Sequence, residues 1–158
     1  MVAVKELAKQ MSPSMIRSTV LGQHAHLRAW LARIERRATD VLGATGEVGA
    51  LAGELRGLGA WLEDHLRFEE QWLFPALEEA DAWAQVRLER LTHDHSEQRV
   101  HLRVMERLLQ APGDGRELAE RVLTMIRSLR VDIDDEDEIA LRDGILRDDV
   151  VAIGQSDG

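Results

Sequence analysis

The sequence predicts an all-α protein, an up-down-up-down four-helix bundle, and three observations lead there. Apolar residues recur at three- and four-residue spacing along four long segments, and no stretch alternates apolar with polar residues as a strand would. Breaks rich in glycine, proline and small polar residues separate those segments. At 158 residues the chain makes one domain with a core of its own, and it has no cysteine with which to staple one.

Taken in order, Ser12-Pro13 reads as an N-cap followed by proline at the first helical position. It opens a helix over about 13–40 whose stripe is Val20, Leu27, Leu31 and Ile34. "LGATG", Leu42 to Gly46, ends that helix with glycines suited to a left-handed cap. A second helix is expected over 47–73, with Leu51, Leu55, Leu58 and Leu62 inward and a stop near Pro75. Its four glycines, Gly49, Gly53, Gly57 and Gly59, each lose about 1 kcal/mol against alanine, so close helix contact or local flexibility is expected there. The third helix, 82–110, shows Leu88, Leu91, Leu102, Met105 and Leu109. After the break "APGDG", Ala111 to Gly115, the fourth covers 116–141 with Leu118, Val122, Met125 and Leu129. Residues 1–145 are expected to form the bundle, and 146–158 a loose C-terminal tail.

Composition removes several functions. A net charge of −9 speaks against nucleic acid or an anionic membrane as partner, because both require a basic face. Without cysteine there is no thiolate metal site and no thiol nucleophile, and without tyrosine no tyrosyl-radical chemistry. The first twenty residues lack the unbroken apolar run of a signal peptide, and no stretch is long enough to span a bilayer. The cytoplasm is the expected compartment. No glycine-rich phosphate loop and no His-Glu-x-x-His is present. "DIDDEDE", Asp132 to Glu138, superficially suggests a calcium loop, but its sixth position is Asp137 rather than glycine, and its twelfth is Asp143 rather than glutamate.

The informative residues are the polar ones that interrupt the apolar stripes. His24 precedes Leu27, Leu31 and Ile34 at helical spacing. His65 follows Leu58 and Leu62, and Glu69 continues that line one turn later. His95 lies between Leu91 and Leu102, while Asp132 and Glu136 extend the line of Met125 and Leu129. Any one of these, taken alone, reads as a core histidine bonded to a carbonyl or as an ordinary acid. All four helices interrupting their stripes at once reads as a metal site, because unpaired ionisable groups are too costly to bury. His65 and Glu69, one turn apart, face the same centre.

"HAHLRAWLARIE" from His24, "HLRFEEQWLFPALEE" from His65 and "HDHSEQRVHLRVMERLL" around His95 resemble the hemerythrin-like (HHE cation-binding) domain family over roughly residues 14–145. The resemblance implies a non-haem di-iron centre, oxo- or hydroxo-bridged, with O2, peroxide, NO or iron itself as partner. Manganese or zinc is the alternative occupant. It implies His24, His65, His95 and Asp132 as terminal ligands, with Glu69 and Glu136 as bridges. The fourth segment departs from the family pattern. "VDIDDEDEIAL" aligns with "DHLRFEEQWLF" at constant offset, setting Glu136 on Glu69 and Asp137 on Glu70, but Asp132 where the family has histidine. Arg99, four residues after His95, stands where oxygen-carrying members place a further histidine.

An added carboxylate is a hard anion that favours Fe(III) and suits Mn(II), so oxidase-like or peroxide-handling chemistry, iron binding or gas sensing is expected before reversible oxygen carriage. His26, His93 and His101 read as surface residues, and the four tryptophans with Phe68 and Phe74 as core fillers. The competing reading is a bundle whose site has decayed and which serves as an interaction or structural module.

Overall fold

In the computed structural model, residues 11–80 and 82–149 are described. Ser12 opens the first helix, its hydroxyl accepting the Met15 N–H at 3.3 Å, with Pro13 in the first turn where its missing N–H costs nothing. That helix, α1, runs Pro13–Leu42. α2 covers Val48–Phe68 and passes without interruption into a π-helical segment, Glu69–Leu73, and then into α3, Phe74–Ala80. α4 is Ala84–Gln110 and α5 is Arg116–Ile139. Among the described residues there is no strand. α1 packs against α2 and α5, and α4 against α2, α3 and α5, which closes the four-helix bundle with α3 prolonging the second rod.

Two breaks differ from expectation. Pro75 does not stop the second helix. The π segment immediately before it puts the Phe74 N–H on the Glu69 carbonyl, and Pro75 falls in the first turn of the resumed helix, where a proline is tolerated. At the end of α1 the left-handed residue is Ala44, at φ 57°, whereas Gly43 sits at φ −78°. Of the four glycines in α2, only Gly57 answers to close contact, since a Cβ there would lie 3.2 Å from the Trp30 ring.

The chain stays packed beyond residue 145, where the tail was expected to begin. Leu146 is buried with Leu141 and Ile145, and Asp148 accepts hydrogen bonds from the Ser14 N–H at 2.9 Å and hydroxyl at 2.6 Å. The remainder of the expected tail, 150–158, lies outside the described residues.

The core divides into two apolar clusters. One gathers Leu27, Leu31, Leu58, Leu62, Met125, Leu129 and their neighbours, and the other gathers Ile16, Val20, Leu73, Leu77, Leu91 and Leu141. Each long rod crosses from one to the other through a buried polar residue: His24 in α1, His65 and Glu69 along the second rod, His95 in α4 and Glu136 in α5. Burial of each leucine is worth about 1.5–3 kcal/mol, so the two clusters hold the rods in register on either side of that polar layer.

Two of the left-handed positions, Ala44 and Gly115, predict opposite substitution effects in urea unfolding. Ala44→Gly relieves a β-carbon from left-handed backbone and is expected to stabilise by up to about 1 kcal/mol. Gly115→Ala, at φ 78° with its new Cβ 2.6 Å from Val48 Cγ2, is expected to destabilise by about 1–3 kcal/mol.

Candidate metal centre

Glu69 occupies the middle of the polar layer at 1% exposure. Its Oε1 lies 3.0 Å from His65 Nε2 and 3.3 Å from His24 Nε2, and its Oε2 lies 2.9 Å from His95 Nε2. The other ring nitrogen of each histidine is held from behind. His24 Nδ1 meets Asp137 Oδ1 at 2.6 Å, His65 Nδ1 meets Gln23 Oε1 at 2.7 Å, and His95 Nδ1 meets Glu70 Oε1 at 3.0 Å. All three acceptors call for an Nδ1–H donor, which leaves the Nε2 lone pairs aimed inward. Two of the acceptors are themselves anchored by arginine. Arg28 Nη2 donates to Asp137 at 2.7 Å, and Arg99 Nη1 donates to Glu70 at 2.6 Å.

These donors fall into two groups of metal-ligating geometry, His24–His65–Glu69 and Glu69–His95–Glu136, which share Glu69. Glu136 is buried, and its Oε1 has no hydrogen-bond partner among the described residues. A buried carboxylate oxygen with nothing to accept from is costly, and a cation between Glu136, Glu69 and His95 would satisfy it. The donor set of imidazole nitrogens and carboxylate oxygens suits iron, manganese or zinc. The residues therefore fit a pair of metal ions bridged by a carboxylate.

Electrostatics strain the layer in opposite directions. Burial pushes the Glu69 carboxyl up, but its contacts with His24, His65 and His95 outweigh this and hold it well below the usual carboxylate range. Burial, reinforced by the charge of Glu69, drives Glu136 well above that range. Burial would lower His24 and His95, yet the bonds to Asp137 and Glu69 raise the first, and those to Glu69 and Glu70 the second. A metal ion bound between these groups would compete with protons for them.

Five of the six expected ligands, His24, His65, Glu69, His95 and Glu136, come together in this way. Asp132 does not: it lies in neither group. Its Oδ2 accepts from Gln98 Nε2 at 3.0 Å, and burial followed by the nearby charges of Asp94 and Glu97 raises its carboxyl. Aspartate is shorter than histidine, and a glutamine on α4 meets it before the interior does. Arg99, in the other departing position, turns outward to Glu63 and Glu70. The spare histidines stay out as well. His26 packs on Trp30 and Trp61, His93 is exposed 3.5 Å from Glu97, and His101 is half-buried outside both groups.

The orienting residues Gln23, Glu70 and Asp137 were not singled out from sequence. Their signal is adjacency: each directly neighbours an expected ligand in the chain, His24, Glu69 or Glu136 respectively, yet serves a histidine on another helix. One residue's step rotates a helical side chain by about 100°, from the interior to the seam with the next helix.

The family model described as Hemerythrin HHE cation binding domain matches residues 15–142, a span that contains every residue of the centre. No curated protein and no solved structure matches the chain.

Substitution separates the two acids of α5. Asp132→Ala is expected to leave metal stoichiometry unchanged, whereas Glu136→Ala should reduce it toward about one ion per chain, because only one group loses a ligand. Equilibrium dialysis followed by elemental analysis reads both; a loss of metal in Asp132→Ala would place that carboxylate back among the ligands.

Proposed function

Because the chain belongs to the family of hemerythrin HHE cation-binding domains, we propose that it is a non-haem di-iron protein. Its reading is that of a protein which consumes O2 or peroxide, or responds to NO, rather than carrying oxygen reversibly. The observation that supports it best is the shared Glu69, whose two carboxylate oxygens face different histidine sets while Glu136 brings an unsatisfied oxygen to one of them. Bound iron would supply one-electron redox chemistry and Lewis acidity toward small oxidants.

The chain's own contribution is positioning and exclusion. His24 and His65 with Glu69 would hold one ion, and His95 with Glu69 and Glu136 the other. The second set has one imidazole and two carboxylates, a hard anionic environment that favours the ferric state even with Asp132 outside it. Asp137, Gln23 and Glu70 keep the imidazoles turned inward through their Nδ1–H groups, and the first and last of these are anions that strengthen the ring as a donor. Leu66 and Leu73, both fully buried and three and four residues from Glu69 in the chain, belong to the apolar clusters that would keep bulk water from the layer. No helix among the described residues is long and apolar enough to cross a membrane.

Purification from iron-supplemented medium followed by metal analysis, a visible spectrum and thermal melting tests this reading. The expected result is about two irons per chain, a visible oxo-to-iron charge-transfer band and a melting temperature that falls on chelation. A metal-free protein whose melting temperature ignores chelators would overturn it in favour of the interaction-module reading. Manganese or zinc at the same stoichiometry would keep the centre and change its chemistry.

A further inference from the structure

Trp61 lies against His65 with nearly parallel rings, 14° between planes and 5.2 Å between centroids. Trp30 follows at 6.2 Å from Trp61, and the exposed His26 ring packs against both. A continuous aromatic column thus leads from a residue of the metal centre to the surface of α1 and α2. Core packing explains buried rings, but both tryptophans here are only partly buried, and they adjoin the apolar cluster rather than filling it. The outer end is chemically equipped. Trp30 Nε1 donates to Glu54 Oε2 at 2.8 Å, and the guanidinium nitrogens of Arg33 and Arg37 lie 3.5 Å and 3.4 Å from Glu54 Oε1.

Building on the di-iron reading, we propose that Trp61 and Trp30 form an electron path. It lets an anionic one-electron reductant at the surface, ascorbate being the type, reduce the centre after peroxide has oxidised it. With iron bound, Trp61 would give up one electron toward the centre, leaving a ring radical cation, and Trp30 would refill Trp61 with one of its own. The Trp30 radical then passes its Nε1 proton to Glu54. The reductant returns one electron to Trp30, and Glu54 returns the proton. Two such passages, with two protons from solvent, convert one peroxide into two waters and oxidise two reductant molecules by one electron each. Indole is the most readily oxidised side chain available here, since the chain has neither tyrosine nor cysteine. Arg33 lies 5.8 Å from the Trp30 ring centroid and disfavours positive charge on it, while Glu54, in direct contact with the N–H, removes that charge as a proton. Two arginines against one glutamate also leave the entrance locally positive on a chain of net charge −9, which suits an anionic donor.

The test treats iron-loaded protein with limiting peroxide, without reductant, and maps oxidised tryptophans by mass spectrometry, with iron content and visible spectrum recorded on the same sample. Diffusible radicals would attack by exposure and favour Trp83, which is 69% exposed. The path predicts oxidation at Trp30 instead, suppressed by ascorbate and absent from zinc-loaded protein. Trp61→Phe, which keeps a stacking ring but not an oxidisable one, should bring Trp30 oxidation down to the zinc background. If that variant loses iron, Trp30→Phe decides, because the damage should then stop at Trp61. Iron-loaded protein oxidised in order of exposure, or Trp61→Phe damaged at Trp30 as before, would overturn the path while leaving the metal centre standing. A chain that takes up no iron would overturn both.

Discussion

A carboxylate removed from water and contacted by three imidazole nitrogens constrains everything around it. Glu69 costs several kcal/mol to bury as an anion, and that cost is offset only if its partners stay within reach. The partners come from α1, α2 and α4, while Glu136 approaches from α5, so all four rods must meet at one height. The two apolar clusters above and below then act as clamps on the polar layer, and a slip of one helix by a turn would unpair it. Burying a second carboxylate beside the first makes the layer unfavourable unless cations or protons lie between them. The packing that defines the fold therefore also gathers the groups that could hold metal.

Orientation in this layer is passed around the bundle. α1 contributes Gln23 to the histidine on α2, the π segment contributes Glu70 to the histidine on α4, and α5 contributes Asp137 to the histidine on α1. The internal correspondence between "HLRFEE" and "DIDDED" is preserved in its second half only. Glu69 and Glu136 both face the interior, and Glu70 and Asp137 both orient a histidine and meet an arginine. At the first position it fails: His65 reaches Glu69, while Asp132 ends at Gln98. The acidic run is accordingly a site edge rather than a patch. Asp134 pairs with Arg28 and Asp135 with Arg90, so arginines offset the like-charge repulsion along the helix.

Helical periodicity made the four rods, their order and their inward faces legible in the sequence, because 3.6-residue spacing is a local property of each segment. Five of the residues that meet in the polar layer were legible for the same reason, as polar breaks in apolar lines. What escaped depends on neighbours that spacing does not reveal. A proline rule alone ends the second helix at Pro75, and only the widened π turn at Glu69–Leu73 lets it continue. The periodicity of α5 aimed Asp132 at the interior, but the side chain is only partly buried and meets Gln98 at the seam with α4, a contact that depends on the distance between helices. The packing of Leu146 and Asp148 onto the start of α1 is likewise a long-range contact with no local signature.

The account stands on Glu69 lying between two ions. Anomalous diffraction at the iron edge from crystals of iron-loaded protein tests this directly. Two separate peaks are predicted, one beside Glu69 Oε1 with His24 and His65, the other beside Glu69 Oε2 with His95 and Glu136. A single peak, or iron held at Asp132, would contradict it.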